Sequence, residues 1–177
     1  MTRKAKFFVC ALLLLFSVLV RVMPHPWNAT PVAAMSLFAG AYLGVGYALS
    51  LPIATMLVSD AFVGFYALPV LVSVYLSFLL IACLGVLLRR QRNPETMIGA
   101  SLAGSIFFYL ITNYAVWQFT PYYEKSLAGL QLSYALALPF FRNTLVGDLF
   151  YTGIIFGGYA LARWVVGRVQ LRYQPQA

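Results

Sequence analysis

Acidic side chains are scarce in this chain of 177 residues, which has four Asp and Glu against twelve Lys and Arg, and only 9% of its residues are charged. A typical soluble domain carries about 25% charged residues. Hydrophobic residues make up 62% of the chain, and its mean hydropathy is +0.84. The composition therefore excludes an ordinary soluble domain and indicates a single polytopic membrane unit.

The chain also lacks the residues and motifs of the common catalytic and metal sites. Its one His and two Cys cannot supply a zinc ligand set, and neither Cys has a CxxC partner. No HExxH, GxSxG or Walker A glycine loop occurs. We therefore expect no enzyme activity, no metal and no cofactor. The remaining enzymatic alternative is a carboxylate pair formed by Asp60 and Asp148, which would need to lie within hydrogen-bond range.

Positive charges stand at the ends of apolar runs and do not form a basic face. They cluster at 3–6, at 89–92 and at 163–172, and the formal net charge is +8. An excess of Lys and Arg is typical of the cytoplasmic loops of membrane proteins. We therefore expect these clusters and both chain termini to lie in the cytoplasm. Nucleic-acid binding is excluded, because the cations are not interleaved with aromatic residues on one surface.

Four apolar runs have the length of a membrane-spanning helix: 7–23, 69–88, 97–117 and 143–166. Each supplies roughly 17–25 mostly apolar residues, as a hydrocarbon core about 30 Å thick requires. A fifth stretch, 31–66, is long for one span and short for two, and Ser50-Leu-Pro52 interrupts it with a residue pattern typical of a helix start.

The parity of the crossings decides how 31–66 is interpreted. The first span delivers 24–30 to the outside, whereas the cations at 89–92 put the next charged loop inside, so the chain crosses an odd number of times in between. The run 69–88 is one crossing, and 31–66 therefore crosses twice or not at all. We favour two short spans, 31–48 and 51–66, over a re-entrant hairpin. The predicted fold is an all-α, six-helix membrane bundle forming one domain over 1–177.

Segment 122–141 lies outside on this count. Its apolar residues recur at helical spacing: Leu127, Leu130, Tyr134, Leu138 and Phe141. This pattern predicts a helix over about 124–139 that lies on the outer surface, separate from the sixth span.

Small residues form a stripe along the second predicted span at Ser36, Gly40, Gly44 and Ala48. Such a stripe lets two helix backbones approach closely in lipid. Two interpretations remain open, close packing inside this chain and docking of a partner helix.

The scarce polar side chains gather near the outer ends of the predicted spans. Those that we select as candidate ligand contacts are Arg21, Asp60, Asn113, Trp117, Arg142, Asn143 and Asp148. Ionisable groups at membrane depth are costly and mark functional sites by default. The alternative is an ionic clasp that fixes the helices, with Arg21 or Arg142 paired to Asp60 or Asp148.

Four runs carry a resemblance to a known family: 30–44 (TPVAAMSLFAGAYLG), 51–64 (LPIATMLVSDAFVG), 74–78 (VYLSF) and 140–150 (FFRNTLVGDLF). Together they cover most of residues 21–157. The sequence resembles a family of small bacterial membrane proteins of unknown function that are catalogued as candidate transport proteins. The family signature is fairly specific but names no activity.

At a coarser level, the short second and third helices and the acid before a glycine in the third are similar to the S-components of energy-coupling-factor (ECF) vitamin transporters. That resemblance implies six helices, a ligand site near the outer surface, and partners in the form of a transmembrane coupling protein and two ATPases. S-components commonly carry an Ala-xxx-Ala docking pattern on the first helix, which 7–23 lacks. The stripe at Ser36, Gly40, Gly44 and Ala48 is the candidate replacement.

The sequence as a whole predicts a multi-pass subunit of the bacterial inner membrane that captures a small polar or vitamin-like solute from the outer side. Asp60, Asn113, Asp148 and the pair 142–143 would line one hydrated pocket, with Arg21 and Trp117 at its mouth. The arginines would take an anionic group of the solute, and the acids an amine or hydroxyl. The alternative is a membrane scaffold or assembly protein whose polar cluster is a structural clasp.

Overall fold

The computed structural model describes the backbone of residues 1–172 and the side chains of residues 1–168. The described part of the chain is all-α, as predicted, while the predicted cytoplasmic C-terminus and the side chain of Arg172 lie outside it. Its helices are α1 (Arg3–Val22), α2 (Val32–Phe38, continued by a π-helical segment at Ala39–Leu43), α3 (Val45–Val63), α4 (Leu68–Leu87, followed by a 3₁₀ turn at Leu88–Arg90), α5 (Pro94–Phe119) and α6 (Leu127–Arg172).

Five of the six helices are long and apolar enough to cross a membrane, namely α1, α3, α4, α5 and α6. The exception is α2, which together with its π-helical segment covers only Val32–Leu43. At 1.5 Å per residue this element is ~18 Å long, well short of a hydrocarbon core. The prediction of a complete second span over 31–48 is therefore wrong, and a short internal helix takes its place.

Local sequence signals explain where several helices start. The hydroxyl of Thr2 accepts a hydrogen bond from the Ala5 backbone amide, and the side chain of Asn93 accepts one from Thr96, with Pro94 as the first residue of α5. The Ser126 hydroxyl likewise accepts from the Gly129 amide just before α6. Each cap satisfies an amide that has no partner within its helix.

The break between α2 and α3 falls at Gly44 and not at the predicted Ser50-Leu-Pro52. Gly44 adopts a φ of 122°, a conformation that residues with a Cβ rarely reach. Pro52 lies inside α3, where it cannot donate a backbone hydrogen bond to the Ala48 carbonyl oxygen and its ring crowds that carbonyl, yet the helix continues. The glycine therefore ends one helix, while the proline is absorbed by the next.

The centre of the bundle is α2, whose residues are all buried. It packs against α4, α3 and α6, and the closest approach is to α4. A Cβ added at Gly40 would lie 2.2 Å from the Ala82 carbonyl oxygen, and one added at Gly85 would lie 2.1 Å from the Leu37 carbonyl oxygen. Only glycine fits at these two positions, because the two backbones are in direct contact.

The small-residue stripe faces the inside of the chain. Ser36 and Ala48 are fully buried, Gly40 contacts α4, and Gly44 forms the helix break, so the four residues do not share one helix face. The docking interpretation of Ser36, Gly40, Gly44 and Ala48 is therefore wrong, and the stripe serves internal packing.

One continuous helix, α6, replaces the predicted surface helix at 124–139 and the predicted span at 143–166. Its 46 residues run antiparallel to α5, with Ser133 bonded to the Asn113 carbonyl oxygen at one end and Thr152 bonded to Ser101 further along. The two predicted helices are one because Pro139 lies inside α6 without ending it, and the buried residues of this stretch include the small residues Gly129, Ser133 and Ala137.

Candidate functional site

A cavity of about 430 Å³ lies at the end of the bundle where α1 and α3 end and α4 begins. We call it the main cavity. Its polar lining comprises Arg21, His25, Asn28, Thr30, Thr144 and Asp148. Its remaining lining is apolar or aromatic: Trp27, Ala33, Met56, Val63, Tyr66, Val74, Phe78 and Phe108. This is the end that the sequence predicts to face outward, and the cavity therefore brings two of the selected polar residues, Arg21 and Asp148, to one hollow.

Asp60 lies behind the cavity wall at the centre of a satisfied polar network. Its side chain is fully buried, and its Oδ1 atom lies 2.8 Å from Nη2 of Arg21. The hydroxyl of Tyr75 donates to Oδ2 at 2.8 Å, and a second guanidinium nitrogen of Arg21 contacts the Met56 sulfur. We call Arg21, Asp60 and Tyr75 the clasp. It joins α1, α3 and α4, and both of its charges are neutralised within the fold.

Asp148 is the second buried acid, and its surroundings differ from those of Asp60. It is 3% exposed and lines the main cavity from α6. Its Oδ2 atom accepts a hydrogen bond of 2.6 Å from the Ser105 hydroxyl of α5. Among the described residues, no Lys, Arg or His side chain forms an ion pair with Asp148. The cavity therefore contains one acid that the fold does not neutralise.

Aromatic side chains form much of the cavity wall. Phe78 and Phe108 meet with ring centroids 5.2 Å apart, and Trp27 packs edge to face on Phe140 at 6.1 Å. Tyr66 lies in the connection between α3 and α4, where partial burial, with a smaller contribution from the charge of Asp60, raises the pKa of its phenol to about 12. Tyr66 is therefore neutral at physiological pH and offers a hydroxyl and a ring.

Asn113 lines a second, adjoining cavity of about 210 Å³. The two cavities share lining residues on α4, α5 and α6, among them Val74, Phe108 and Thr144. The side-chain amide of Asn113 donates to the Tyr109 carbonyl oxygen one turn earlier, at 2.8 Å. Asn113 is thus near the main cavity but not part of its wall.

Three of the selected residues lie elsewhere. Arg142 and Asn143 line a separate hollow of about 410 Å³, together with Pro26 and Tyr151. Trp117 donates its indole N–H to the Glu124 carbonyl oxygen at 2.9 Å, in the connection between α5 and α6. Of the seven residues selected from the sequence, the main cavity therefore brings together two, Arg21 and Asp148, and the prediction of one pocket does not hold for the other five.

The geometry does not support the enzymatic alternative of a carboxylate pair. Asp60 is bonded to Arg21 and Tyr75, whereas Asp148 is bonded to Ser105, and the two carboxyl groups share no hydrogen bond. No cluster of three His, Cys, Asp or Glu that could hold a metal ion occurs within the described part of the chain.

Several important residues escaped sequence reasoning. Tyr75, the second donor to Asp60, lies within the run 74–78 that carried the family resemblance, where it stands between Ser73 and Ser77 in an otherwise apolar helix. That polar alternation was the available signal. Ser105 gave none, because single serines are common in membrane helices and bond to their own backbone, as Ser105 also does to the Ser101 carbonyl oxygen at 3.1 Å.

These features define a class, an all-α bundle of mostly apolar helices with a partly polar cavity at one end. Residues 1–171 match the family model of DUF6580, described as a family of unknown function, and the chain belongs to that family. The predicted membership of a family without a known function is confirmed. No curated protein and no solved structure matches the chain. The likeness to candidate transport proteins and to ECF S-components stays a prediction.

Proposed function

We propose that this protein is a solute-binding subunit of a bacterial inner-membrane transport system, similar to an S-component, and that it captures a small polar or vitamin-like solute from the outer side. The observation that carries the proposal is the main cavity, whose lining combines polar and aromatic side chains. Its volume of about 430 Å³ falls within the range of small-molecule sites, which are mostly apolar with a few placed polar groups.

The outer surface of the bundle supports a membrane location. Large apolar side chains are exposed on every long helix, including Phe7 at 69%, Phe62 at 72% and Leu87 at 75%. Such a surface would aggregate in water but is what a bilayer solvates. The cations at 89–92 and 163–168 lie at the end opposite the main cavity, which agrees with an outward-facing cavity under the positive-inside rule.

Release of the solute into the cell would require a partner, and a transmembrane coupling protein with ATPase subunits is the proposed one. With the small-residue stripe buried, the exposed face of α1 is the best remaining docking surface. It presents Leu12, Leu15 and Leu19, each at least half exposed. Large apolar residues on an unpartnered helix face suit either lipid or a partner helix.

The clasp favours a second candidate function, that of a membrane scaffold. Arg21 and Asp60 neutralise each other inside the protein, as they would in a purely structural network. Exchanging the charges of Arg142 and Asp148 would not distinguish a solute-binding subunit from a scaffold, because the two residues line different cavities and do not form a pair. The scaffold alternative accounts for Asp60 but gives no role to the main cavity or to Asp148.

The test is native mass spectrometry of the protein purified gently from a bacterial membrane, in wild-type form and in two variants of adjacent residues. Thr144→Phe places a ring in the main cavity, whereas the matched control Asn143→Phe places one in the separate hollow. A solute-binding subunit should retain a small molecule in the wild type and in the control, and lose it in Thr144→Phe.

Co-purification of ATPase subunits with the wild type would support the transport system as a whole. Absence of any retained small molecule from wild type and control alike, with both proteins folded, would overturn the proposal in favour of the scaffold.

A further inference from the structure

We infer that the solute of the main cavity is a cation, an amine or ammonium compound whose charged group pairs with Asp148 while its apolar body lies against the aromatic wall. This inference rests on the proposed function for the existence of a solute. It departs from the sequence-based expectation of an anionic group, because the arginines that would bind such a group are engaged or face elsewhere.

The first step concerns Arg21, which among the described side chains is the one Lys or Arg that lines the main cavity. Its guanidinium is bonded to Asp60 at 2.8 Å and contacts the Met56 sulfur. Binding an anion would require breaking a charge-assisted bond to a fully buried carboxylate, which would then be left unpaired. Arg142 cannot substitute, since it lines the separate hollow.

The second step concerns Asp148, whose carboxylate has hydrogen-bond acceptor sites that no described residue uses. An ionised carboxylate has about four lone-pair sites. One oxygen accepts the Ser105 hydroxyl at 2.6 Å, and the other accepts no hydrogen bond from any described residue. Asp148 is 3% exposed, lies on the wall of a cavity and has no basic partner among the described residues, so its charged form is costly and a cation that joins it would stabilise that form.

The third step concerns the rest of the wall. Phe78 and Phe108 present a paired aromatic surface, and Trp27 and Tyr66 add two further rings. Ring faces attract cations and exclude anions. Thr144 stands one helical turn before Asp148 and adds a hydroxyl on the same side of α6. The combination of one unneutralised acid with several aromatic rings is complementary to a cationic solute with an apolar body.

The test uses three probes of nearly equal shape and different charge, namely phenethylamine, phenethyl alcohol and phenylacetate, titrated calorimetrically at neutral pH into the full-length protein in lipid nanodiscs. Empty nanodiscs correct for partition into lipid. We expect the amine to bind the wild type at least about tenfold more tightly than either other probe. In Asp148→Asn the preference for the amine over the alcohol should vanish. The variant keeps an acceptor for Ser105 and should fold, which its thermal transition verifies.

Arg142→Gln is the matched control, a charge removed from the same helix but from a different cavity, and it should keep the full preference for the amine. Equal or tighter binding of phenylacetate, or an amine preference that survives in Asp148→Asn, would overturn the inference and leave the proposed function standing. Failure of all three probes to bind the wild type would overturn it as well. If, in addition, no molecule is retained in native mass spectrometry, the proposed function fails with it.

Discussion

The two buried acids of this protein have opposite surroundings. Asp60 accepts a hydrogen bond at each carboxylate oxygen, one from the guanidinium that neutralises it and one from a phenol, and it ties together three helices. Asp148 has one neutral hydroxyl and an open cavity. The contrast shows why an acid in an apolar helix is ambiguous until its partners are known. Paired with a base, the acid fixes the arrangement of the helices, and loss of either partner is costly. Without a base, it is available to bind a group from outside the protein.

Breaking the clasp should give the largest effect. Asp60→Asn leaves the guanidinium of Arg21, whose side chain is only 14% exposed, without its counter-charge. We expect the free energy of unfolding to fall by about 3 kcal/mol or more, as is usual when one member of a buried pair is removed. Unfolding by SDS in mixed micelles, followed by tryptophan fluorescence, measures it.

The control is the double variant Arg21→Gln/Asp60→Asn, which removes both charges and should lose less stability than the sum of the two single variants. If the loss in the double variant equals the sum of the losses in the two single variants, the ion pair contributes nothing to stability, and the contrast with Asp148 is unfounded.

Tyr75→Phe sharpens the comparison, because it removes the second donor to Asp60 and leaves the ring in place. A hydrogen bond to a charged group contributes about 2 kcal/mol, and we expect a loss of that size in the same assay. Tyr109→Phe, which removes a hydroxyl bonded to a backbone carbonyl oxygen, serves as the reference for a neutral bond. A loss no larger than that of Tyr109→Phe would contradict the role given to Tyr75.

Ser105→Ala tests the only donor to Asp148 among the described residues. Loss of this one hydroxyl should lower stability by about 1 kcal/mol, since Ser105 divides its bonding between Asp148 and the Ser101 carbonyl oxygen. Solute binding should persist, because the carboxylate proposed to contact the solute is retained. An unfolded or non-binding Ser105→Ala protein would mean that Asp148 is as tightly built into the fold as Asp60.

Asp148→Asn should give the smallest change in stability. It removes a buried carboxyl group that forms no ion pair within the described part of the chain, and it preserves an acceptor for Ser105. We therefore expect unfolding free energy to stay within about 1 kcal/mol of wild type, with any change toward higher stability. A loss as large as that of Asp60→Asn would erase the distinction between the two acids.

Much of the helical framework was predictable from the sequence. The apolar runs 7–23, 69–88 and 97–117 correspond closely to α1, α4 and α5, because a long apolar run between charged or capped ends has few other solutions. The break at Gly44 was missed because a proline looks like a stronger interruption than a glycine. In the interior of α3, Pro52 removes one backbone hydrogen bond and crowds a carbonyl without ending the helix, whereas the φ of 122° at Gly44 does end α2.

The sequence predicted how far along the helices the candidate-site residues lie, but not which way their side chains point around the helix axis. Arg142, Asn143 and Asp148 lie within two turns of one another in the middle of α6, and the sequence grouped them because they stand at the outer end of the predicted span 143–166. At 3.6 residues per turn, Arg142 and Asn143 point about 120° and 140° away from Asp148, whereas Thr144 points only about 40° away. Which of these directions meets a hollow depends on how α6 packs on its neighbours, and no pattern within α6 contains that information.

The short helix α2 has a consequence for how the protein is made. If the chain is embedded as proposed, a segment that covers only Val32–Leu43 cannot rest across the bilayer alone during synthesis. The translocon would therefore have to release α2 together with α3, as a hairpin turning at Gly44, and the groove beside Gly85 would receive it only after α4 has emerged. When a ribosome is stalled with α3 in the membrane and α4 still in the exit tunnel, α2 should not yet be packed. A cysteine introduced into α2 should then react with labelling reagents that cannot reach it in the finished protein.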